Sequence, residues 1–107
     1  MNTVNEIWIG LAELMPLDGC TLMGEAKGAF VNVVGWADSS DAFYSKIERI
    51  VATLHMKLLS LEDAEPFSQR SSRWEVDDSI LQMIDTATEN QEDLVFGTFH
   101  FWHNADA

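Results

Sequence analysis

The sequence predicts an α+β fold: a two-layer sandwich in which a four-stranded, mostly antiparallel sheet carries two helices on one face, a ferredoxin-like or related split β-α-β arrangement. Three observations predict it. Gly28 to Trp36 is β-branched and aromatic, Asp38 to His55 has helical periodicity, and Met56 to Leu61 returns to strand composition, so strand, helix and strand follow without a gap. A second helical stripe begins near Asp77 or Asp78. The chain then runs into Leu94–His103, which is strongly β-forming. At 107 residues there is room for one core, so residues 1–107 are expected to form a single domain.

Each element has its own local warrant. From Val4 to Met15, Val4, Glu6, Trp8 and Gly10 alternate with Asn5, Ile7, Ile9 and Leu11, which suits a strand with at least one buried face. Pro16-Leu17-Asp18-Gly19 reads as a turn, Thr21 to Met23 as the start of a return strand, and Gly24 and Gly28 as a bulge or bend. The run from Ala29 is apolar on both sides and belongs near the sheet centre, with Asn32 the exception. Strands joined through a helix of this length are expected to be parallel neighbours with a right-handed crossover.

Asp38-Ser39-Ser40-Asp41 offers several N-caps and places acid in the first turn, where the helix dipole favours it. Phe43, Ile47, Ile50, Val51 and Leu54 then form one apolar stripe, with Lys46, Glu48 and Arg49 on the outer face. Truncating the middle of the stripe, as in Ile50→Ala, is expected to cost about 2 to 5 kcal/mol. Glu62-Asp63-Ala64-Glu65-Pro66 should end strand pairing, and the polar Phe67–Trp74 segment reads as a surface loop. In the second helix Ile80, Leu81, Ile84 and Ala87 share a face opposite Asp85 and Glu89. Asn90 ends that helix, and residues 104–107 form a short tail.

Charge narrows the function. Eighteen acids against six Lys or Arg give a net charge of -12, and the bases Lys27, Lys46, Arg49, Lys57, Arg70 and Arg73 form no run. Such a surface repels a phosphate backbone, so nucleic-acid binding is not expected. No run of ~18 apolar residues is present to span a bilayer, and Met1 to Glu6 has no basic segment leading into an apolar one. A cytoplasmic protein without membrane attachment is the expectation. The lone Cys20 fits a reducing compartment.

Chemistry-bearing motifs are sparse. His100 and His103 are three apart, which places them on opposite faces of a regular strand, and Cys20 has no cysteine partner, so no metal site is expected. Neither Ser39-Ser40 nor Ser71-Ser72 sits in a nucleophile elbow, and there is no phosphate-binding glycine loop. No cofactor and no catalytic residue is therefore assigned, and the chain is not expected to be an enzyme. Trp8, Trp36 and Trp102 either share an exposed sheet face as an interaction or dimer surface or are ordinary core residues. The acids Glu62, Asp63, Glu65, Asp77 and Asp78 either form a solvated rim or, with Phe67 and Trp74, a partner-binding surface in which charge steers and aromatics anchor.

The runs Phe30-Val31-Asn32-Val33-Val34-Gly35-Trp36-Ala37-Asp38-Ser39, Leu61-Glu62-Asp63-Ala64-Glu65-Pro66 and Gly97-Thr98-Phe99-His100-Phe101 resemble those of small bacterial proteins. In size and acidity the chain is similar to the immunity proteins that neutralise antibacterial toxins. That resemblance implies stoichiometric inhibition of a cognate toxin, with acids standing in for phosphate if the toxin is a nuclease. It assigns no role to an individual residue, because immunity proteins have many unrelated folds. The alternative is a small-molecule enzyme or sensor on a dimeric ferredoxin-like scaffold, with a pocket lined by Trp36, Phe99, Trp102 and His100 and a buried polar set of Asn32, His55 and His100.

Overall fold

The computed structural model describes residues 5–73 and 78–102. β1 (Glu6–Pro16) and β2 (Gly28–Ala37) form an antiparallel hairpin in which Glu6 faces Ala37 and Leu14 faces Ala29. α1 (Ser40–Thr53) leads to β3 (Met56–Pro66), which pairs antiparallel with the other side of β1. α2 (Phe67–Arg73) and α3 (Asp78–Glu89) follow. β4 (Leu94–Phe96) and β5 (His100–Trp102) then pair in turn with the free side of β2, giving the order β3-β1-β2-β4 with β5 also on β2. The fold is therefore α+β with an open antiparallel sheet.

Several local expectations hold for identifiable reasons. Ser39 caps α1, its Oγ accepting the Ala42 amide at 3.0 Å. Gly19 has φ of 92° in the expected turn, a value that suits glycine. α1 buries Phe43, Ile47 and Val51. Ile50 is only half-buried, so the large cost expected for its truncation belongs to Ile47 instead.

Other expectations need correction. β2 and β3 are parallel to each other but not neighbours, because β1 lies between them and is antiparallel to both. β1 has buried apolar side chains on both faces, Ile9 on one and Ala12 and Leu14 on the other, so it can be covered on each side. Residues 21–23 form no strand: residues 17–27 are a loop whose Met23 and Ala26 are buried as plugs in the core. The final β run is two short strands, broken where the Gly97 amide donates to the Asn32 carbonyl at 2.8 Å.

β3 does not stop at the acids. Register shifts opposite Glu13/Leu14 and Ile9/Leu11 are bulges, and Asp63 takes φ of 55° in the second, so the strand continues to Pro66. The segment from Phe67 is helical for seven residues and not a loop. Pro66 stands where a missing N–H costs nothing at a helix start, and Arg70 reaches back to β3. The segment has no apolar period, which is why its sequence reads as loop.

Packing divides the core. Ala12, Leu14, Ala29, Val31 and Val33 meet Phe43, Ile47 and Val51 of α1, with Trp8 half-buried beside them. Ile9 and Val34 meet Met83 and Ala87 of α3, with Ile7, Ile80, Ile84 and Val95 around them. These sets occupy alternate positions of β1 and β2, which point to opposite sheet faces. α1 and α3 thus cover opposite faces, against the expectation of two helices on one. The tryptophans divide likewise: Trp8 lies near Phe43, with ring centroids 6.2 Å apart, whereas the Trp36 indole bonds Ala87 of α3.

Candidate interaction surface

Strand register defines two ends of the molecule. Eleven-residue strands are about 36 Å long, which only the longest of the 43 × 28 × 23 Å dimensions accommodates. One end holds Glu6, Ala37, Pro66 and the start of α1, and the other holds Pro16, Gly28, Met56 and the end of α1. The first is acidic, with Glu6, Asp38, Asp41, Glu92 and Asp93 all at the strand ends, the start of α1 or the turn before β4. Glu62 and Asp63 continue this charge along the edge of the sheet, where both are exposed on β3.

The structure brings Glu62, Asp63, Glu65 and Phe67 together at the β3–α2 junction, but in different roles. Arg70 Nε donates to Glu65 Oε2 at 2.6 Å, and Arg70 Nη2 donates to the Asp63 carbonyl at 2.9 Å. With its side chain only 14% exposed, Glu65 is a structural partner of Arg70 and not a free steering charge. The same guanidinium fixes the left-handed bulge at Asp63. Phe67 is half-buried at the start of α2, and Asp78 is exposed in the first turn of α3, on a separate element. Trp74 and Asp77 lie outside the described residues. Glu6, which sequence reasoning did not single out, accepts Ser68 Oγ at 3.2 Å and so ties β1 to α2.

Lys46 is a second residue whose position the helical pattern misplaced. Its Nζ does not extend from an outer face but donates to the Trp36 carbonyl at 3.1 Å and the Gln91 carbonyl at 2.9 Å. Burial, followed by the Arg49 charge, lowers its pKa below the ordinary 10.5, with Asp93 and Glu92 opposing. A periodicity count sees only the angular position on the helix, and a four-carbon stem can turn back onto a neighbouring element.

The groups suggested for a small-molecule pocket do not converge. Asn32 is half-buried, while His55 and His100 are exposed, and the core among the described residues includes no buried polar side chain. Phe99 packs with the α1-side core, whereas the Trp36 indole is bonded to α3 on the other face. Among the described residues, no helix is long and apolar enough to cross a membrane. What the geometry defines is an open-sheet α+β module in which β3 is an acidic edge strand among the described residues. No protein-family model matches the chain, and neither a curated protein nor a solved structure matches it.

Proposed function

We propose that this chain is a protein-binding module of the immunity type, a cytoplasmic inhibitor that occupies a basic surface of a cognate toxin in equal stoichiometry. The observation that carries the reading is the exposed pair Glu62 and Asp63 on an edge strand, in a bulge held by Arg70 and Glu65. A bulge aims side chains away from the pleated sheet and resists further strand addition, so the edge presents its charge more readily than its backbone. Exposed carboxylates on a backbone fixed in this way suit lysine and arginine side chains, and on a nuclease they would take the place of substrate phosphates. Glu6, Asp38 and Asp41 add long-range attraction from the same end of the molecule.

The test is capture from the native organism with the tagged full chain, washed at low and then high salt, followed by association kinetics with the recovered protein. One basic partner in equal amount, released by salt, is expected. Reversing Glu62 and Asp63 to lysine should slow association about tenfold or more and flatten its salt dependence. Unchanged rate and salt dependence would remove the acidic edge from the binding site.

A further inference from the structure

The two faces of the sheet are not covered alike. The β1–β2 ladder runs without a break from Glu6 opposite Ala37 to Leu14 opposite Ala29, so side chains alternate strictly between the faces along it. On the α1 face Ala12, Leu14, Ala29, Val31 and Val33 are all fully buried. On the α3 face burial is complete only at Ile9 and Val34, where Met83 and Ala87 pack. The positions that follow on that face, Leu11 and Glu13 of β1 with Asn32 and Phe30 of β2, lie outside the α3 cluster and are half-buried. A Cβ at Gly97 would meet Met83 Sδ at 3.3 Å and Asn32 Cβ at 3.6 Å, which sets the limit of α3 at the Asn32 row.

Register joins these residues into one site. Glu13 stands opposite Phe30 on β2 and Ser60 on β3, and Leu11 stands opposite Asn32 and Glu62. Ser60 Oγ donates to Glu13 Oε1 at 3.5 Å, the long limit of a hydrogen bond, and among the described residues no ion pair joins Glu13 to a base. Lys57, the base of β3 on this face, is exposed one row further on, opposite Met15. A carboxylate has about four acceptor positions, so most of the capacity of Glu13 is unused.

We propose that this uncovered half of the sheet is where a basic protein partner seats an arginine side chain, with Glu13 as its acceptor. The inference rests on the reading of the chain as a binder of a basic protein, and it names the anchor of that contact. The carboxylate selects a cation by charge. Directly opposed side chains on one face have Cβ atoms about 4.5–5.5 Å apart, so the Phe30 ring and the Glu13 carboxylate flank a single space. A guanidinium is planar and weakly hydrated, lies on an aromatic face and forks to a carboxylate, whereas an ammonium holds its water. Glu62, exposed at the rim of the same face, attracts the partner, and Glu13, set among Leu11 and Phe30, holds it.

Titration of the labelled full chain with N-acetyl-arginine amide in physiological salt, followed by amide NMR, tests the site without any partner. Shifts confined to residues 11–13, 30–32 and 60 are expected. They should be lost in Glu13→Gln, whose circular dichroism should be unchanged, and absent with the neutral isostere N-acetyl-citrulline amide. Shifts spread over Asp38, Asp41, Glu92 and Asp93, or shifts indifferent to Glu13→Gln, overturn the proposal. With a captured partner, Glu13→Gln should speed dissociation about tenfold and leave the association rate nearly unchanged, as for a central charge and not a rim charge. Unchanged dissociation overturns the anchor while leaving the acidic edge in place. Failure to capture a basic protein, beside a localised arginine titration, counts against the protein-binding reading and not against the guanidinium site.

Discussion

The indole Nε1 of Trp36 donates to the carbonyl oxygen of Ala87 at 2.7 Å, fastening the last turns of α3 to the end of β2. Lys46 strengthens the same junction from the other side of the sheet, because it bonds the Trp36 carbonyl and the Gln91 carbonyl together. One residue of β2 thus links helices packed on opposite faces.

Trp36→Phe is expected to lower stability in urea unfolding by about 1 to 1.5 kcal/mol, the net value of one hydrogen bond with the ring retained. Ala87 keeps a second donor, the Asn90 amide at 3.1 Å, which limits the loss. Trp8→Phe should cost less in hydrogen bonding or even gain. The Trp8 Nε1 is buried without a partner, and removing an unsatisfied donor relieves its desolvation.

The Lys46 ammonium should give stability a pH slope on the alkaline side. In the unfolded chain it keeps its proton up to about 10.5, whereas in the folded chain burial releases it at lower pH. Across that window the unfolded state binds more protons, so stability from this group rises with pH and is lowest when the lysine is charged. Subtracting the pH profile of Lys46→Arg, which stays charged, should leave a positive difference slope below 10.5. A flat difference would show that the ammonium is better solvated than its two carbonyl partners suggest.

Gly28→Ala should destabilise by about 1 to 3 kcal/mol, the range for forcing extra atoms into a packed site. A Cβ there would collide with the Trp102 ring and lie 2.8 Å from the Leu14 carbonyl oxygen. Gly24→Ala meets no atom within 4 Å, but its φ of 56° leaves a backbone cost of about 1 kcal/mol. Thermal unfolding of the two variants separates a packing clash from a conformational preference.

Ile47→Ala should cost about 2 to 5 kcal/mol, and Ile50→Ala clearly less, because Ile47 is fully buried and Ile50 is not. Equal losses in denaturant midpoint would contradict the placement of α1 on the sheet.

Arg70→Ala should loosen α2 and the Asp63 bulge together, by about 1 to 3 kcal/mol for a charge-assisted contact in a partly exposed setting. Hydrogen exchange is expected to quicken in residues 62–73 before the rest of the sheet.

Much of the fold is legible because local chemistry and global packing agree. Phe43, Ile47 and Val51 announce the buried side of α1, Ser39 its start, and Asp18-Gly19 the turn after β1. α2 is not legible, since its stability comes from Arg70 reaching Glu65 and not from any apolar period. In the candidate surface, composition reveals the acids, but only contacts distinguish exposed Glu62 and Asp63 from Glu65, which is already paired.

By itself the sequence determined the apolar runs of β1 and β2, the apolar stripes of α1 and α3, and the excess of acid over base. Periodicity and composition are local properties of the chain, so they can be read along it. Tertiary structure alone decided that β1 separates β2 from β3 and that α1 and α3 lie on opposite faces. These depend on which apolar stripe meets which face. A strand with two apolar faces leaves that choice to packing, where shape and hydrogen bonds such as Trp36 to Ala87 settle it.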